Sequence, residues 1–259
     1  MLVLSLLLLL VPLDRCNEQL IVTFTQYLSR LERKQVLRTC LANNFDWYTI
    51  PKSRHVEQLN SDFSVIFVGH ELGFVRPSLI GHHLVEGVYP DKIIQNTLKS
   101  ESNTSNSIPG QRSSSYLEYF RRKILSVSSR SVASLVHAPA LWRRGYRGSG
   151  VSVAVLDTGL NKLHPHFSSI GDTVDFTDES EPNDKVIGHG TFVAGVIASS
   201  RDCLGVAPDT EIFSLKVFNS HQISHTSWFL DAFNYVINSK IDIINLSIGG
   251  PRLSRLSVH

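Results

Sequence analysis

From residue 151 onward the chain alternates two hydrophobic patterns, and this alternation limits the fold more than any other feature. VSVAVLD (151–157) is an almost unbroken aliphatic run. A run without a polar face belongs to a strand covered on both sides. GTFVAGVIAS (190–199) continues as a helix, and TEIFSLKVF (210–218) is a second strand. WFLDAFNYVINS (228–239) places Phe229, Ala232, Phe233, Val236 and Ile237 on one helical face. IDIINLSIGG (241–250) is a third, buried strand that ends in glycines. Strands alternating with helices imply an α/β fold with a parallel sheet and right-handed crossovers.

Residues 17–98 follow a different plan. EQLIVTF (18–24), DWYTI (46–50), DFSVIFV (62–68) and VEGVYP (85–90) read as strands. The segment 28–41 is helical, with Leu37, Cys40 and Leu41 on one stripe, and Pro77 marks the start of a second helix. The order βαββαβ is that of a ferredoxin-like α+β unit. Cys40 closes an apolar face, so it reads as core rather than reactive.

The flanking segments have their own signatures. Residues 1–16 hold an almost unbroken apolar run of twelve residues from Leu2 to Leu13, too short for a bilayer and suited to a secretory signal. No other stretch is apolar and long enough to span a membrane. Residues 99–135 begin rich in Ser and Asn, a composition that cannot offset its ordering entropy, so they read as a linker. Asn103-Thr104-Ser105 is a glycosylation acceptor in that exposed stretch. Asn245-Leu246-Ser247 fits the same pattern but lies in the expected buried strand, which argues against its use. The basic run YFRRKILSVSSR (119–130) is either a solvated linker or a cleavage site. Nucleic acid is a poor partner for a secretory chain whose net charge is only +2. Three cysteines without a C-x-x-C pair disfavour both a disulfide scaffold and a zinc cage.

Ligands of open α/β sheets gather beyond the carboxyl ends of the strands, where Asp157 lies. Alone, Asp157 reads equally as a turn-former and as an acid. His189 stands between Gly188 and Gly190 at a helix start. The helix dipole disfavours its cation, so a buried carboxylate has to orient it. Asp157 can accept from one ring N–H and leave the other nitrogen as a base. His164 and His166 read as loop-packing residues rather than metal ligands. A nucleotide-binding reading of Asp157 is weak, because no phosphate-type glycine loop follows the first strand.

AVLDTG (154–159), GHGTFVAGVIAS (188–199) and NLSIGGP (245–251) resemble, in this order, the motifs of the subtilisin-like serine proteases. The resemblance is strong over 141–251. Over 18–98 a weaker one points to the propeptide of a membrane-anchored branch of that family. It implies a subtilisin-like parallel sheet, cut short, behind a ferredoxin-like propeptide. Residues 136–251 would be the N-terminal part of the catalytic domain and 252–259 a divergent tail. Asp157 would be the triad aspartate and His189 the general base, while Ser247, Ile248 and Gly249 would offer backbone to an extended substrate. Arg122 and Leu125 would mark an Arg-x-x-Leu site of self-cleavage. The implied substrates are proteins, among them membrane-anchored transcription factor precursors, in the endoplasmic reticulum and Golgi lumen. The chain's own propeptide is an implied partner, and the full-length relative would be membrane-anchored.

No cofactor is legible in these residues, although the family usually carries calcium. Asp172, Asp175 and Asp178 are spaced for a cation but read as solvated loop carboxylates. In chains ordered Asp, His, Ser, the serine follows the histidine by roughly 150 residues. Residues 190–259 contain no G-T-S-x-A motif. The chain as written is therefore expected to be truncated and inactive, or to be a non-catalytic short form whose propeptide-like unit binds or inhibits a full-length protease.

Overall fold

The computed structural model describes residues 18–42, 44–52, 55–69, 72–95, 132–179, 181–184 and 187–248. The expected signal, Asn103, Arg122, Leu125, Gly249 and the tail at 252–259 lie outside the described residues. The chain divides into two compact units, Met1–Lys92 and Ile93–His259.

In the first unit, β1 (Glu18–Leu28) is followed by α1 (Arg30–Leu41), β2 (Trp47–Thr49), β3 (Ser61–Val68), α2 (Leu72–Ile80) and β4 (Val85–Pro90). The four strands form an antiparallel sheet in the order β2-β3-β1-β4. This is the ferredoxin-like arrangement that the element order implied. A capping box fixes the start of α1. The Ser29 hydroxyl accepts from the Glu32 amide (3.3 Å), and the Glu32 carboxylate accepts from the Ser29 amide (2.8 Å). Leu20, Val22 and Phe24 of β1 alternate onto one face and pack with Leu37 and Leu41 of α1 and Val75 and Leu79 of α2. Cys40 is partly buried against this core, and burial pushes its thiol pKa up. Pro77 does not open a helix, contrary to expectation. It lies inside α2, whose start at Leu72 puts Val75 and Leu79 on one buried stripe.

In the second unit, β6 (Ser152–Asp157), β7 (Ile170–Asp175), β8 (Glu211–Lys216) and β10 (Ile243–Leu246) form a parallel sheet in the order β10-β6-β8-β7. β6 is interior, which accounts for its apolar run. Val153 and Val155 pack with Ala194 and Ala198 of the helix His189–Ala198, while Ala154 and Leu156 alternate onto the opposite face and are fully buried. Burying a side chain such as Leu156 is worth ~1.5–3 kcal/mol. We number that helix α5. Two short helices, α3 (Val132–Leu135) and α4 (Ala138–Trp142), precede the sheet, so 132–135 is helical where a linker was expected. The helix Thr226–Ser239, α6, also packs against β6.

Three expectations for this unit are corrected. β7 was not foreseen, and Asp172 and Asp175 lie on that strand rather than in a loop. As an edge strand it carries IGDTVD, which has no continuous apolar run. β10 is the opposite edge, and Ile243, Ile244 and Leu246 are exposed rather than buried. On α6, Phe229, Ala232 and Val236 are buried as expected, but Ile237 is exposed, and Asp231 and Asn234 are buried instead. A further small sheet pairs β5 (Ile93–Gln95) antiparallel with β9 (Ile223–His225).

Candidate active site

Asp157 is the last residue of β6 and is held there by the neighbouring strand. It pairs in register with Lys216 of β8, and its carbonyl accepts from the amides of Val217 (2.9 Å) and Phe218 (3.2 Å). Its side chain is almost wholly buried. The carboxylate accepts from the Thr158 amide (2.7 Å). It also lies against a single ring nitrogen, with Nδ1 of His189 at 2.8 Å from Oδ1 and 3.0 Å from Oδ2.

His189 reaches that position because it is the first residue of α5. Gly188, just before it, has φ 75°, a left-handed conformation that L side chains rarely adopt. Gly190, just after it, has ordinary helical backbone but no room, since an added Cβ would stand 2.2 Å from the carbonyl oxygen of Gly159. One glycine thus makes the turn, and the other lets the helix start touch the loop behind Asp157.

An ionised carboxylate only accepts hydrogen bonds, so the proton of the neutral His189 ring sits on Nδ1, as the bonding network assigns it. No described residue hydrogen-bonds Nε2, whose lone pair is left to act as a base. The hydrogen bond to Asp157 raises the His189 pKa above its ordinary value. Burial opposes this, and the negative charges of Asp157 and Asp184 add to it. The two carboxylates together therefore outweigh the cost of burial.

Three neighbouring residues escaped the sequence reading. Asp184 is buried and accepts four hydrogen bonds from the turns on either side of the pair. Its only legible signal was an acidic residue shortly before a helix whose own N-cap is glycine. Lys216 is buried at the end of β8 and donates to Glu179 (2.7 Å) and to the Glu181 carbonyl (2.9 Å). Burial opposes ionisation of Glu179. Hydrogen bonds from Lys216 and from the hydroxyl and amide of Ser220 outweigh it and hold the carboxyl at about 2. Thr158, Glu179, Asp184, Lys216, Asn219 and Ser220 border a cavity of about 260 Å³.

The remaining candidate residues are placed as follows. Leu246 pairs in register with Leu156, so Ser247 and Ile248 continue β10 toward the rim where Asp157 lies. The Ser247 hydroxyl accepts from the Asn245 side chain (2.9 Å), and Ile248 is exposed. The structure also supplies an edge that sequence reasoning did not find. Beyond β8, the Asn219 side chain accepts from the amides of His221 and Ile223, which sets the start of β9. The extended segment Ile93–Gln95 lies along β9 as an added strand.

Two of the three aspartates considered for a cation are engaged elsewhere, and Asp178 is exposed. Asp172 accepts from the Tyr235 hydroxyl (2.8 Å), and Asp175 accepts from Thr177 and from the Glu181 amide. The described residues contain no cluster of three or more His, Cys, Asp or Glu fit to hold a metal ion. His164 and His166 meet edge to face, and His166 contacts Ser199 and Asp202, consistent with loop packing. None of the described helices is long and apolar enough to cross a membrane.

Comparison with known proteins agrees with this geometry. The subtilase family model matches residues 148–258, and the model of the N-terminal domain of the membrane-bound site-1 protease family matches residues 15–92. Membrane-bound transcription factor site-1 protease of Mus musculus is 38% identical over 256 residues, covering 89% of this chain and 24% of that protein. Subtilisin-like protease SBT6.1 of Arabidopsis thaliana is 43% identical over 174 residues, 67% of this chain and 16% of that protein. Subtilisin E of Bacillus subtilis is 39% identical over 121 residues, 46% of this chain and 32% of that protein. The chain spans about a quarter of the length of the site-1 proteases it matches. With Asp157 and His189 joined inside the matched region, and the two models in this order along the sequence, the chain belongs to the subtilase family, with an N-terminal domain of the site-1 protease type.

Proposed function

We propose that Asp157 and His189 form the acid–base half of a serine endopeptidase of the secretory pathway. The observation that carries this reading is the 2.8 Å contact between His189 Nδ1 and a buried carboxylate, with Nε2 bonded by none of the described residues. In that arrangement Nε2 takes the proton of a serine hydroxyl as it attacks a peptide carbonyl. It then returns the proton to the departing amine, while Asp157 stabilises the imidazolium between the two steps. These 259 residues contain no Gly-Thr-Ser-x-Ala sequence, so on their own they form no acyl-enzyme and do not hydrolyse peptides.

The substrates we infer are extended segments of lumenal or membrane-anchored proteins, including transcription factor precursors, cut after Arg-x-x-Leu-like sequences. Backbone at Ser247, Ile248 and Gly249 would receive such a segment as an added strand. Arg122-Lys123-Ile124-Leu125 offers the same kind of sequence within this chain, as expected of a zymogen that processes itself. A second reading rests on the pairing of β5 with β9. Here the residues behind the N-terminal unit occupy a strand edge themselves, and the chain acts as a non-catalytic inhibitor of a full-length protease.

The first reading is tested by a chimera in which residues 1–251 replace the matching region of the mouse site-1 protease. The folded chimera should cleave an Arg-x-x-Leu peptide. Asp157→Asn should lower kcat by about 10⁴, and His189→Ala should leave only background. A folded chimera that stays inactive, or one that tolerates His189→Ala, refutes the reading.

A further inference from the structure

The turns that carry Asp157 and His189 come from distant parts of the sequence, and Asp184 is bonded to both. Asp184 is 7% exposed as a residue, and its carboxylate accepts four hydrogen bonds. One oxygen takes the Thr158 hydroxyl (3.0 Å) and the Gly188 amide (2.9 Å). The other takes the Thr191 amide (2.9 Å) and the Thr191 hydroxyl (3.0 Å). Thr158 directly follows Asp157, and Gly188 and Thr191 flank His189.

Helix capping accounts for part of this pattern. Gly188 has no side chain, so the orphan amides at the start of α5 need an outside acceptor, and Asp184 supplies it. Capping does not account for the bond from Thr158, which lies on the Asp157 turn. The Thr158 hydroxyl also accepts from the Gly190 amide (3.0 Å), so it stands between the helix start and Asp184. A closed circuit results, running from Asp157 through the Thr158 amide and hydroxyl to Asp184, on to Gly188, and through His189 back to Asp157.

We propose that Asp184 is a positioning residue of the acid–base pair: it locks the Asp157 turn to the start of the His189 helix and holds a second negative charge beside the imidazolium. This rests on the reading of Asp157 and His189 as that pair. The four donors explain why the residue is a carboxylate. Asparagine has nearly the same shape but only one acceptor oxygen, so its amide NH₂ would face two donors. The charge has its own consequence. Among the described residues, the charged groups that act on His189 are Asp157 and Asp184, both negative, and the buried cation nearby, Lys216, is spent on Glu179. Both carboxylates favour the protonated ring.

The test uses the full chain labelled with ¹⁵N at histidine, with the ring nitrogens followed against pH by NMR. Asp157→Asn and Asp184→Asn should each make His189 titrate at lower pH than in the unaltered protein. Asp184→Asn should keep the proton of the neutral ring on Nδ1, because Asp157 is still there to accept it. If Asp157→Asn lowers the titration and Asp184→Asn leaves it unchanged, Asp184 is only a helix cap and the proposal falls while the acid–base pair stands. If Asp157→Asn itself has no effect, the pair is wrong, and the proposal goes with it. Should Asp184→Asn fail to fold by circular dichroism, Thr158→Val carries the test, since it cuts the tie to the Asp157 turn and keeps the charge. The Nδ1 proton should then exchange about fivefold faster, and an unchanged rate overturns the proposal.

Discussion

Two glycines of helix α5 should respond in opposite directions to the same substitution. Gly190 and Gly195 both have ordinary helical backbone, and alanine is the better helix former by ~1 kcal/mol. At Gly195 an added Cβ meets nothing within 4 Å, so Gly195→Ala should stabilise the helix by ~0.5–1 kcal/mol. At Gly190 the same atom would stand 2.2 Å from the Gly159 carbonyl oxygen, where real contacts essentially never fall below 3.0 Å. The obstacle is backbone, which no rotamer change can move aside, so the loop and the helix must part by the better part of an ångström. Overpacking of this kind costs ~1–3 kcal/mol, here toward the upper end. After the gain in propensity, Gly190→Ala should destabilise by ~2 kcal/mol, roughly a thirtyfold loss of amide protection. Hydrogen exchange read by mass spectrometry on peptides of α5 measures both variants, independently of the N-terminal unit. The added Cβ also comes within 3.2 Å of Asp157 Oδ1, so the His189 ring should lose its partner as the helix retreats. If Gly190→Ala protects α5 as well as Gly195→Ala does, the two turns do not touch, and the site geometry derived from that contact is wrong.

Two further outcomes are expected. Because the carboxyl of Glu179 is held at about 2, below its ordinary 4.5, its contribution to stability is complete above pH 4.5 and is lost as pH falls toward 2. That contribution is at most ~3 kcal/mol, and less because 26% of the side chain is open to water. Glu179→Gln should therefore destabilise the second unit at pH 7 and flatten its acid limb, and an acid limb as steep as that of the unaltered protein would contradict the Lys216–Glu179 assignment. The full chain should also inhibit peptide cleavage by the mouse site-1 protease if the inhibitor reading holds. Ile94→Pro, which is poorly tolerated in a paired strand, should then weaken the inhibition, and equal inhibition by both forms refutes a role for β5.

Both the α/β frame and the Asp157–His189 pair were legible in the sequence. β6 announces itself because an interior parallel strand has no polar face, and G-H-G-T after a strand ending in D-T-G has few structural uses. β7, β9 and β10 show the limits of such patterns. β7 and β10 are edges, each paired with a neighbour on one side only, and β10 is apolar by sequence yet exposed in the fold. β9 is three residues long and is defined by the Asn219 turn and by pairing with a segment more than a hundred residues away, neither of which leaves a periodic mark. Asp184 was missed for a related reason. Its four partners lie at three places along the chain, and only the fold brings them to one carboxylate. Pro77 shows local propensity overruled, since burial of Val75 and Leu79 fixes the extent of α2 despite a proline within it.

The amides of Val217 and Phe218, which grip the Asp157 carbonyl, open the same short bend that ends at β9. The segment Ile93–Gln95, which lies along β9, is thus tied to a bend that also holds the carboxylate in contact with the His189 ring. Lengthening that bend would slacken the edge and the carboxylate together, so the β9 edge and the setting of the His189 ring cannot change independently.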